Sequence, residues 1–361
     1  MAVTNNPIPS FLRWEPWLQE AIKERTSPQI YIADLIAPPR VVTASKGAYD
    51  VMPITMKYKF VNTFLSYQDE AKTLSAERWE SGMYKTRYRG IKDYKNAYQW
   101  AQAVQRGATW DERVRAASQA KFTLELHREI LTRDKIYNDG IITNTVSLTD
   151  NAFVLKDGST VDLTGHQVKQ YTTTDWEFLL YAIWEKFVKF QSGWNISDMT
   201  LVIDEGAFKH LLRSNSLKTQ VQLSRNEIGV LSQLMKADFI RQTGIKDVIT
   251  TNCKVDTSKS STDKTLAEIW PTDKALLTKI ADGPMDEEPH LAKTFIWEEV
   301  GSSTANIFSY VDPKAEIKNE YYVAITQDGV VMPYSFNTDT LSIQTNIANS
   351  CTVIIEDLYG E

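Results

Sequence analysis

The spacing of apolar residues changes its period along the chain, and each change predicts a different element. Apolar positions around Leu124 and Ile130 recur at helical spacing within residues 109–137. Thr109 and Glu112 have the spacing of a capping box, and the sequence after residue 137 continues with Asn-Asp-Gly, a stop signal. We therefore predict a helix over about residues 110–137, roughly 42 Å long at 1.5 Å per residue.

The same helix carries a narrow polar stripe. Ser118, Lys121, Glu125 and Arg128 fall on one side, with charged side chains three or four residues apart. The opposite, broader side is apolar. We expect the apolar side to pack on protein and the polar stripe to face water or a partner.

A strand-like alternation comes before this helix, in the stretch MYKTRYRG. Lys85, Arg87 and Arg89 alternate with aromatic residues and a threonine, as the two faces of a β-strand require. A basic and aromatic ribbon could contact nucleic acid. The favoured interpretation is a projecting strand whose positive face pairs with carboxylates of a neighbouring molecule, since no further basic and aromatic stripe joins this one. Both interpretations remain open at this stage.

The first 48 residues contain an apolar segment, FLRWEPWL, interrupted by Pro16. Chain termini are frayed unless something holds them. We therefore expect Trp14, Trp17 and Leu18 to be buried, either against their own domain or against another copy of the chain.

The second half of the chain mixes helical and strand patterns. Asp175, or a threonine next to it, is placed to cap a helix, and Asp204 follows the strand-like TLVI and opens another helix. A further helical pattern covers NEIGVLSQLMKADFIRQ, whereas the last 65 or so residues are rich in strand formers. The predicted fold class is α+β.

Composition narrows the class of protein. The chain of 361 residues is 42% hydrophobic and 24% charged, as globular proteins are, and its net charge of −6 argues against a protein whose main task is to grip DNA. Cys253 and Cys351 match no metal-ligand spacing. Free core thiols are the favoured interpretation, with a disulfide as the alternative.

The sequence shows no motif of established chemistry. It contains no glycine-rich phosphate loop, nucleophile elbow or zinc-binding helix. The acidic cluster Met285–His290 could bind a metal ion or be a solvated loop. We predict no cofactor, no metal site and no enzymatic activity, although carboxylate pairs for acid–base chemistry are assembled in space and leave no spacing signal.

Several local stretches, in this order, resemble the major capsid proteins of tailed bacteriophages, which share the Hong-Kong-ninety-seven-type capsid fold with encapsulins and the herpesvirus capsid floor. The matching stretches are IYIADLIAPPRVV, GAYDVMP, YRGIKDYKNAYQWAQ, HREILTRDKIYND, NISDMTLVIDEGAFKHLL, AEIWPTDKALLTKI, KTFIWEEV and YYVAIT. The resemblance covers nearly the whole chain.

This resemblance implies a division of the chain into parts. The implied parts are an N-terminal arm (1–48), an extended β-hairpin loop (49–90), a peripheral domain with a long spine helix (91–171), an axial α/β domain (172–292) and a β-rich return to the peripheral domain (293–361).

The resemblance also implies a function. The chain would assemble with itself through pentamers and hexamers into an icosahedral shell around double-stranded DNA, without sequence-specific binding and without a membrane. Its location would be the virion capsid, after assembly in the bacterial host cytoplasm. Because residues 1–48 show no long helical pro-segment, a separate scaffolding protein is implied, together with a portal and possible decoration proteins.

The expected assembly contacts are Trp14, Trp17, Leu18, Lys85, Arg87, Arg89, Lys121, Glu125 and Arg128. Cross-linking of subunits is not predicted. Two alternatives remain: an encapsulin-like compartment that loads an enzyme cargo, and an α/β enzyme that uses residues 172–252.

Overall fold

A computed structural model describes most of the chain. The described residues are 13–14, 17, 20–21, 29, 31–51, 80–95, 97–107, 109–150, 152–155, 157–219, 236–258, 265–282, 289–298, 306–311, 320–332, 334–337 and 342–360. Leu18 and most of the acidic cluster Met285–His290 lie outside them.

The spine helix, Thr109–Tyr137, is the longest helix in this part of the chain. It has 29 residues, which corresponds to about 44 Å, and the prediction of this helix is confirmed. Gly140 follows it with a φ of +64°, a left-handed conformation that glycine adopts without strain. The other described helices are Ala33–Ile36, Ala97–Gln105, Trp176–Trp184, Glu205–Leu211, Lys236–Thr243 and Ile347–Ser350, with a π-helical turn at Glu185–Lys189 and a 3-10 turn at Ile196–Asp198.

One sheet, here called the six-stranded sheet, supports the first half of the spine helix. Its strands are Arg13–Trp14, Asn306–Val311, Glu320–Val331, Lys293–Trp297 and Pro39–Val42 in that order, with Arg87–Lys95 also paired to Glu320–Val331. Small residues of the helix, Ala116, Ala117 and Ala120, are buried against Ile307 and Tyr322. Their size lets the helix backbone approach the sheet closely.

A second, five-stranded sheet forms the centre of the α/β lobe. Its order is Asp247–Thr251, Thr200–Asp204, Ala275–Thr278, Thr352–Glu356 and Thr145–Ser147. The strand Thr200–Asp204 is buried along nearly its whole length because helices cover it. Two predicted helix caps are confirmed: Asp175 accepts from the Phe178 amide at 3.3 Å, and Asp204 accepts from the Ala207 amide at 3.0 Å.

The strand Thr352–Glu356 differs from the predicted division of the chain. The expected return of residues 293–361 to the peripheral domain does not extend to this strand, which pairs with Ala275–Thr278 inside the lobe. Its side chains are buried almost throughout. A nearly continuous apolar strand needs cover on both faces, and the centre of the five-stranded sheet supplies it.

The described residues also form four antiparallel strand pairs outside these two sheets. The hairpin that begins the predicted extended loop pairs Lys46–Val51 with Glu80–Lys85. The other three pair Ala152–Val154 with Thr160–Asp162, Lys254–Asp256 with Leu266–Glu268, and Tyr334–Asn337 with Ser342–Asn346. The tip of the extended loop, residues 52–79, lies outside the described residues.

Both cysteines are free and buried, which confirms the prediction of core thiols. Burial is the main cause that raises the pKa of each thiol, Cys253 and Cys351, to about 12. Both side chains are therefore neutral and unreactive at neutral pH.

Candidate functional site

A groove of about 640 Å³ lies where the projecting hairpin meets the spine helix. Its walls come from the strand Arg87–Lys95, the second half of the spine helix and the end of the strand Glu320–Val331. The lining includes Lys85, Arg87, Tyr88, Arg89, His127 and Lys135. The structure therefore brings three of the predicted contact residues, Lys85, Arg87 and Arg89, to one place.

Thr86 fixes the position of these cations. It separates the hairpin strand Glu80–Lys85 from the sheet strand Arg87–Lys95, and both its amide and its hydroxyl donate to the carbonyl of Ser45 at 2.9 Å. Its hydroxyl also accepts from the Gln327 amide at 3.1 Å. These hydrogen bonds fix Thr86 at the point where the chain passes from the hairpin into the six-stranded sheet.

Gly329 allows the strand Glu320–Val331 to approach the backbone at Lys85 closely. A Cβ at position 329 would lie only 2.6 Å from the carbonyl oxygen of Lys85, so any larger residue would push the hairpin away. On the other side of the crossing, the ring of Tyr84 stacks on Phe295 with centroids 4.6 Å apart. These contacts hold the hairpin base, and the basic residues next to it, against the six-stranded sheet.

The side chain of Arg89 lines the groove and is half-buried. Its Nη2 contacts the carboxylate of Asp328, and burial, followed by the charges of Arg128 and Arg87, lowers the pKa of Arg89 to about 10. Its Nε and Nη1 are shielded from solvent and have no hydrogen-bond partner. By contrast, Lys85 and Arg87 are exposed to solvent.

Arg128 shows that the predicted polar stripe of the spine helix is wrong in part. Arg128 and Ser118 are buried, at 2% and 3% exposure. Arg128 donates to Asp328 Oδ2 from Nε at 3.0 Å and to Asp34 Oδ1 from Nη1 at 3.0 Å. The long-range carboxylates draw this side of the helix into the protein, so Arg128 is not available to a neighbouring subunit in this conformation.

Lys121 and Glu125 lie closer to the surface on the same side of the helix. Their side chains form an ion pair of 3.5 Å and retain 22% and 20% exposure. Burial raises the pKa of Glu125, and Lys121 opposes the rise. This pair keeps partial access to solvent but does not line the groove.

Glu129 is a buried acceptor next to the groove that the sequence did not indicate. Its carboxylate is fully buried and accepts three N–H groups: the Ile32 amide at 3.1 Å, the Ala33 amide at 2.9 Å and the Trp270 indole at 2.7 Å. Burial raises the pKa of Glu129 although these donors lower it. The donors are about 97 and 141 residues away in sequence, so no local pattern could have indicated the contact.

The described part of the N-terminal arm packs on its own chain. Arg13–Trp14 forms a strand antiparallel to Asn306–Val311, and Trp17 packs with Ala21 against the buried cluster under the spine helix. Of the two burial partners left open by the sequence, the same chain covers part of Trp17, and the role of Trp17 as a contact with another copy stays a prediction. Leu18 lies outside the described residues, and its role stays a prediction.

His127 lies at the groove rather than inside the core. It is exposed, and partial burial together with the charge of Arg89 lowers its pKa. Over the described residues, no group of three histidine, cysteine or acidic side chains is placed to hold a metal ion. Within the same residues, no helix combines the length and apolar character needed to cross a membrane.

Comparisons with known proteins show a shared fold. No family model and no curated protein matches the chain. A crystal structure of a phage-related protein from Bordetella bronchiseptica matches with a TM-score of 0.61 at 12% identity, covering 97% of this chain and 99% of that one. The chain has the fold of a phage-related protein. The α+β fold class and the resemblance to phage proteins are confirmed at the level of the fold.

Two further similar structures come from phage particles. The capsid of cyanophage P-SCSP1u has a TM-score of 0.48 at 11% identity, covering 92% of this chain and 89% of that one. The head of Helicobacter pylori bacteriophage KHP40 has a TM-score of 0.48 at 10% identity, covering 93% of each chain.

Proposed function

We propose that this chain is the major capsid protein of a tailed phage, a structural subunit that assembles with itself into an icosahedral shell. The observation that carries the proposal is the match to a phage-related protein along nearly the full length of both chains. A match of this extent covers nearly the whole chain, as the sequence resemblance to capsid proteins does, and this agreement supports the proposal.

The finer features follow from the same resemblance and are part of the proposal. Subunits form pentamers and hexamers that enclose double-stranded DNA, and a separate scaffolding protein, a portal and possible decoration proteins act as partners. The location is the virion capsid, after assembly in the host cytoplasm. The net charge of −6 suits a container whose lining must let a polyanion move.

Contacts between subunits are proposed at the accessible residues among those nominated by the sequence. Lys85 and Arg87 at the groove and the pair Lys121 and Glu125 on the spine helix keep solvent access. Individual contacts of this kind are weak. A closed shell makes them sufficient because each subunit is held at several edges at once.

Sedimentation velocity and negative-stain imaging of the purified full chain test this function. The expected result is megadalton particles, formed by the chain alone or with a scaffolding protein, that protect double-stranded DNA from nuclease when recovered from infected cells. A monomer or a small closed oligomer under all conditions would contradict the shell and favour an α/β enzyme. Particles that contain protein cargo in place of DNA would indicate the encapsulin-like alternative.

A further inference from the structure

Three aromatic rings lie where the hairpin of Lys46–Val51 and Glu80–Lys85 meets the six-stranded sheet. Tyr84 stacks on Phe295 with ring centroids 4.6 Å apart, and Tyr49 stacks on the same ring at 5.9 Å. Tyr49 and Phe295 are buried, at 8% and 3% exposure, and form an apolar cluster of their own with Tyr84 packed against it. We call these three residues the aromatic cluster.

Glycines opposite the two tyrosines let the rings lie across the hairpin. Gly47 pairs with Tyr84, and Gly82 pairs with Tyr49. A Cβ at position 47 would lie 2.8 Å from the Tyr84 ring, and a Cβ at position 82 would overlap the Tyr49 ring. Each ring therefore covers a glycine of the opposite strand, as aromatic residues do when they stabilise glycines at the edge of a sheet.

The two chain connections between the hairpin and the sheet lie side by side. Ser45 precedes the first strand of the hairpin, Thr86 follows the second, and the amide and hydroxyl of Thr86 both donate to the Ser45 carbonyl at 2.9 Å. On the sheet side of Ser45, the Trp297 indole donates to the Thr43 carbonyl at 3.2 Å. Among the described strands, the two hairpin strands pair only with each other. A change in the angle between hairpin and sheet therefore needs backbone changes at few residues.

We propose that the aromatic cluster is the lock of a hinge at the base of the hairpin. With Tyr49 and Tyr84 stacked on Phe295, the hairpin is held at one angle to the six-stranded sheet. When the rings separate, the hairpin rotates about Ser45 and Thr86 while both the hairpin and the sheet stay folded. Hinges of this kind are a few residues at the ends of elements that absorb the backbone change.

The small size of the cluster makes such an opening possible without unfolding. A region held by few buried apolar side chains opens at a much lower free energy than the whole chain. The inference depends only on contacts within one chain, and it goes beyond the proposed shell function without resting on it.

A second set of contacts competes for the same role. The strands Tyr334–Asn337 and Glu320–Val331 also lie close to the hairpin strand Glu80–Lys85. If these contacts alone fix the hairpin, loss of the aromatic stacking leaves its angle unchanged. A distance measurement across the hinge separates the two explanations.

Double electron–electron resonance between two spin labels measures this distance in the full chain. The labels are attached at Ala48→Cys in the hairpin and Gln119→Cys on the spine helix, both exposed positions. The native Cys253 and Cys351 are buried, and the wild-type chain treated with label measures any reaction at them. Dilution with excess unlabelled chain restricts the signal to distances within one chain, whether or not the chain associates.

The first test variant removes the stacking directly. Tyr84→Leu keeps an apolar side chain but loses the ring that stacks on Phe295. It also loses the hydroxyl that donates to the Ala44 carbonyl at 3.2 Å. Both losses free the hairpin side of the hinge.

The second test variant displaces a ring and has a matched control. Gly82→Ala places a methyl group where the Tyr49 ring lies, so the ring has to move. The control is Gly90→Ala in the strand Arg87–Lys95, where a Cβ would meet its nearest neighbours at 3.5 Å, an ordinary contact. The same substitution is therefore compared inside and outside the aromatic cluster.

The expected result is one narrow distance distribution for the wild type and for Gly90→Ala. Tyr84→Leu and Gly82→Ala should give a distribution roughly twice as broad, or a second distance, with unchanged circular dichroism. If one of these two variants fails to fold, the other decides.

Three outcomes would overturn the lock. Unchanged distances in a folded variant would assign the hairpin angle to the neighbouring strands. A broad distribution in the wild type would show that no single angle is held. Loss of folded structure in both variants would show that the rings are part of the core and that the hairpin cannot rotate independently. None of these outcomes bears on assembly, which sedimentation of the wild type tests separately.

Discussion

Two clusters of charge lie beside each other at the spine helix, and they differ in how they are completed. In the first, the interior cluster of Arg128, Glu129, Asp34, Asp328 and Trp270, the buried carboxylates of Glu129 and Asp328 each contact donors of the same chain. In the second, the groove at the hairpin base, the side chains of Lys85 and Arg87 are exposed and form no ion pair within the described residues. Buried charges that contact one another hold the fold together, because removal of one leaves the other unpaired in the interior, whereas exposed cations contribute little to stability.

The largest effect that tests this difference is expected at Arg128. Arg128→Met leaves Asp328 buried with only Arg89 as a counter-ion, so the free energy of unfolding should fall by about 3–5 kcal/mol. The matched control is Arg87→Met, the same substitution at the groove, where the expected change is below about 0.5 kcal/mol. Urea denaturation followed by circular dichroism measures both.

An equal fall in the free energy of unfolding for Arg128→Met and Arg87→Met would contradict the difference between the interior cluster and the groove. It would mean that the groove is as much a part of the folded core as the interior cluster.

The next effect is expected at Glu129. Glu129→Met keeps the approximate volume but leaves the Ile32 and Ala33 amides and the Trp270 indole without an acceptor, which should lower stability by about 2–3 kcal/mol. Amide hydrogen exchange at residues 32–36 should accelerate, because the carboxylate fixes the start of the helix Ala33–Ile36. Unchanged exchange at these amides would show that Glu129 does not hold the arm.

The pH dependence of the stability of Glu129→Met tests whether the pKa of Glu129 is raised in the folded chain. Burial raises the pKa of Glu129 above its usual 4.5, so the folded chain binds a proton at pH values where the unfolded chain has released it. Binding of this proton stabilises the folded chain fully below pH 4.5. The stabilisation is lost as the pH rises through the raised pKa of Glu129. The destabilisation by Glu129→Met should therefore grow as pH falls from neutral towards 4.5, and a pH-independent difference would contradict the shift.

A smaller effect is expected at Trp17, for which the sequence left two burial partners open, its own chain and another copy. Because the indole is partly buried against its own chain, Trp17→Ala should destabilise the isolated subunit by about 1–2 kcal/mol. Tyr98→Ala, at a side chain that is 72% exposed, is the matched control and should change stability by less than about 0.5 kcal/mol. A Trp17 variant as stable as the wild type, yet unable to assemble, would favour the neighbouring copy as the partner of the arm.

The sequence alone determined the elements whose signals are local. The capping positions Asp175 and Asp204, the length of the spine helix and the glycine after its end could all be predicted, because each depends on residues within a few positions of one another. The alternation around Arg87 likewise placed the basic residues on a strand. The order of these elements was sufficient for the resemblance to capsid proteins and for the α+β class.

Only the tertiary structure decided which charges are buried. Lys121 and Arg128 look equivalent on a helical projection, but Asp34 and Asp328, which are distant in sequence, draw Arg128 inside and leave Lys121 near the solvent. In the same way, the acceptor role of Glu129 depends on donors about 97 and 141 residues away. Burial of a charge depends on the partners that the fold brings to it, and those partners leave no trace in the local sequence.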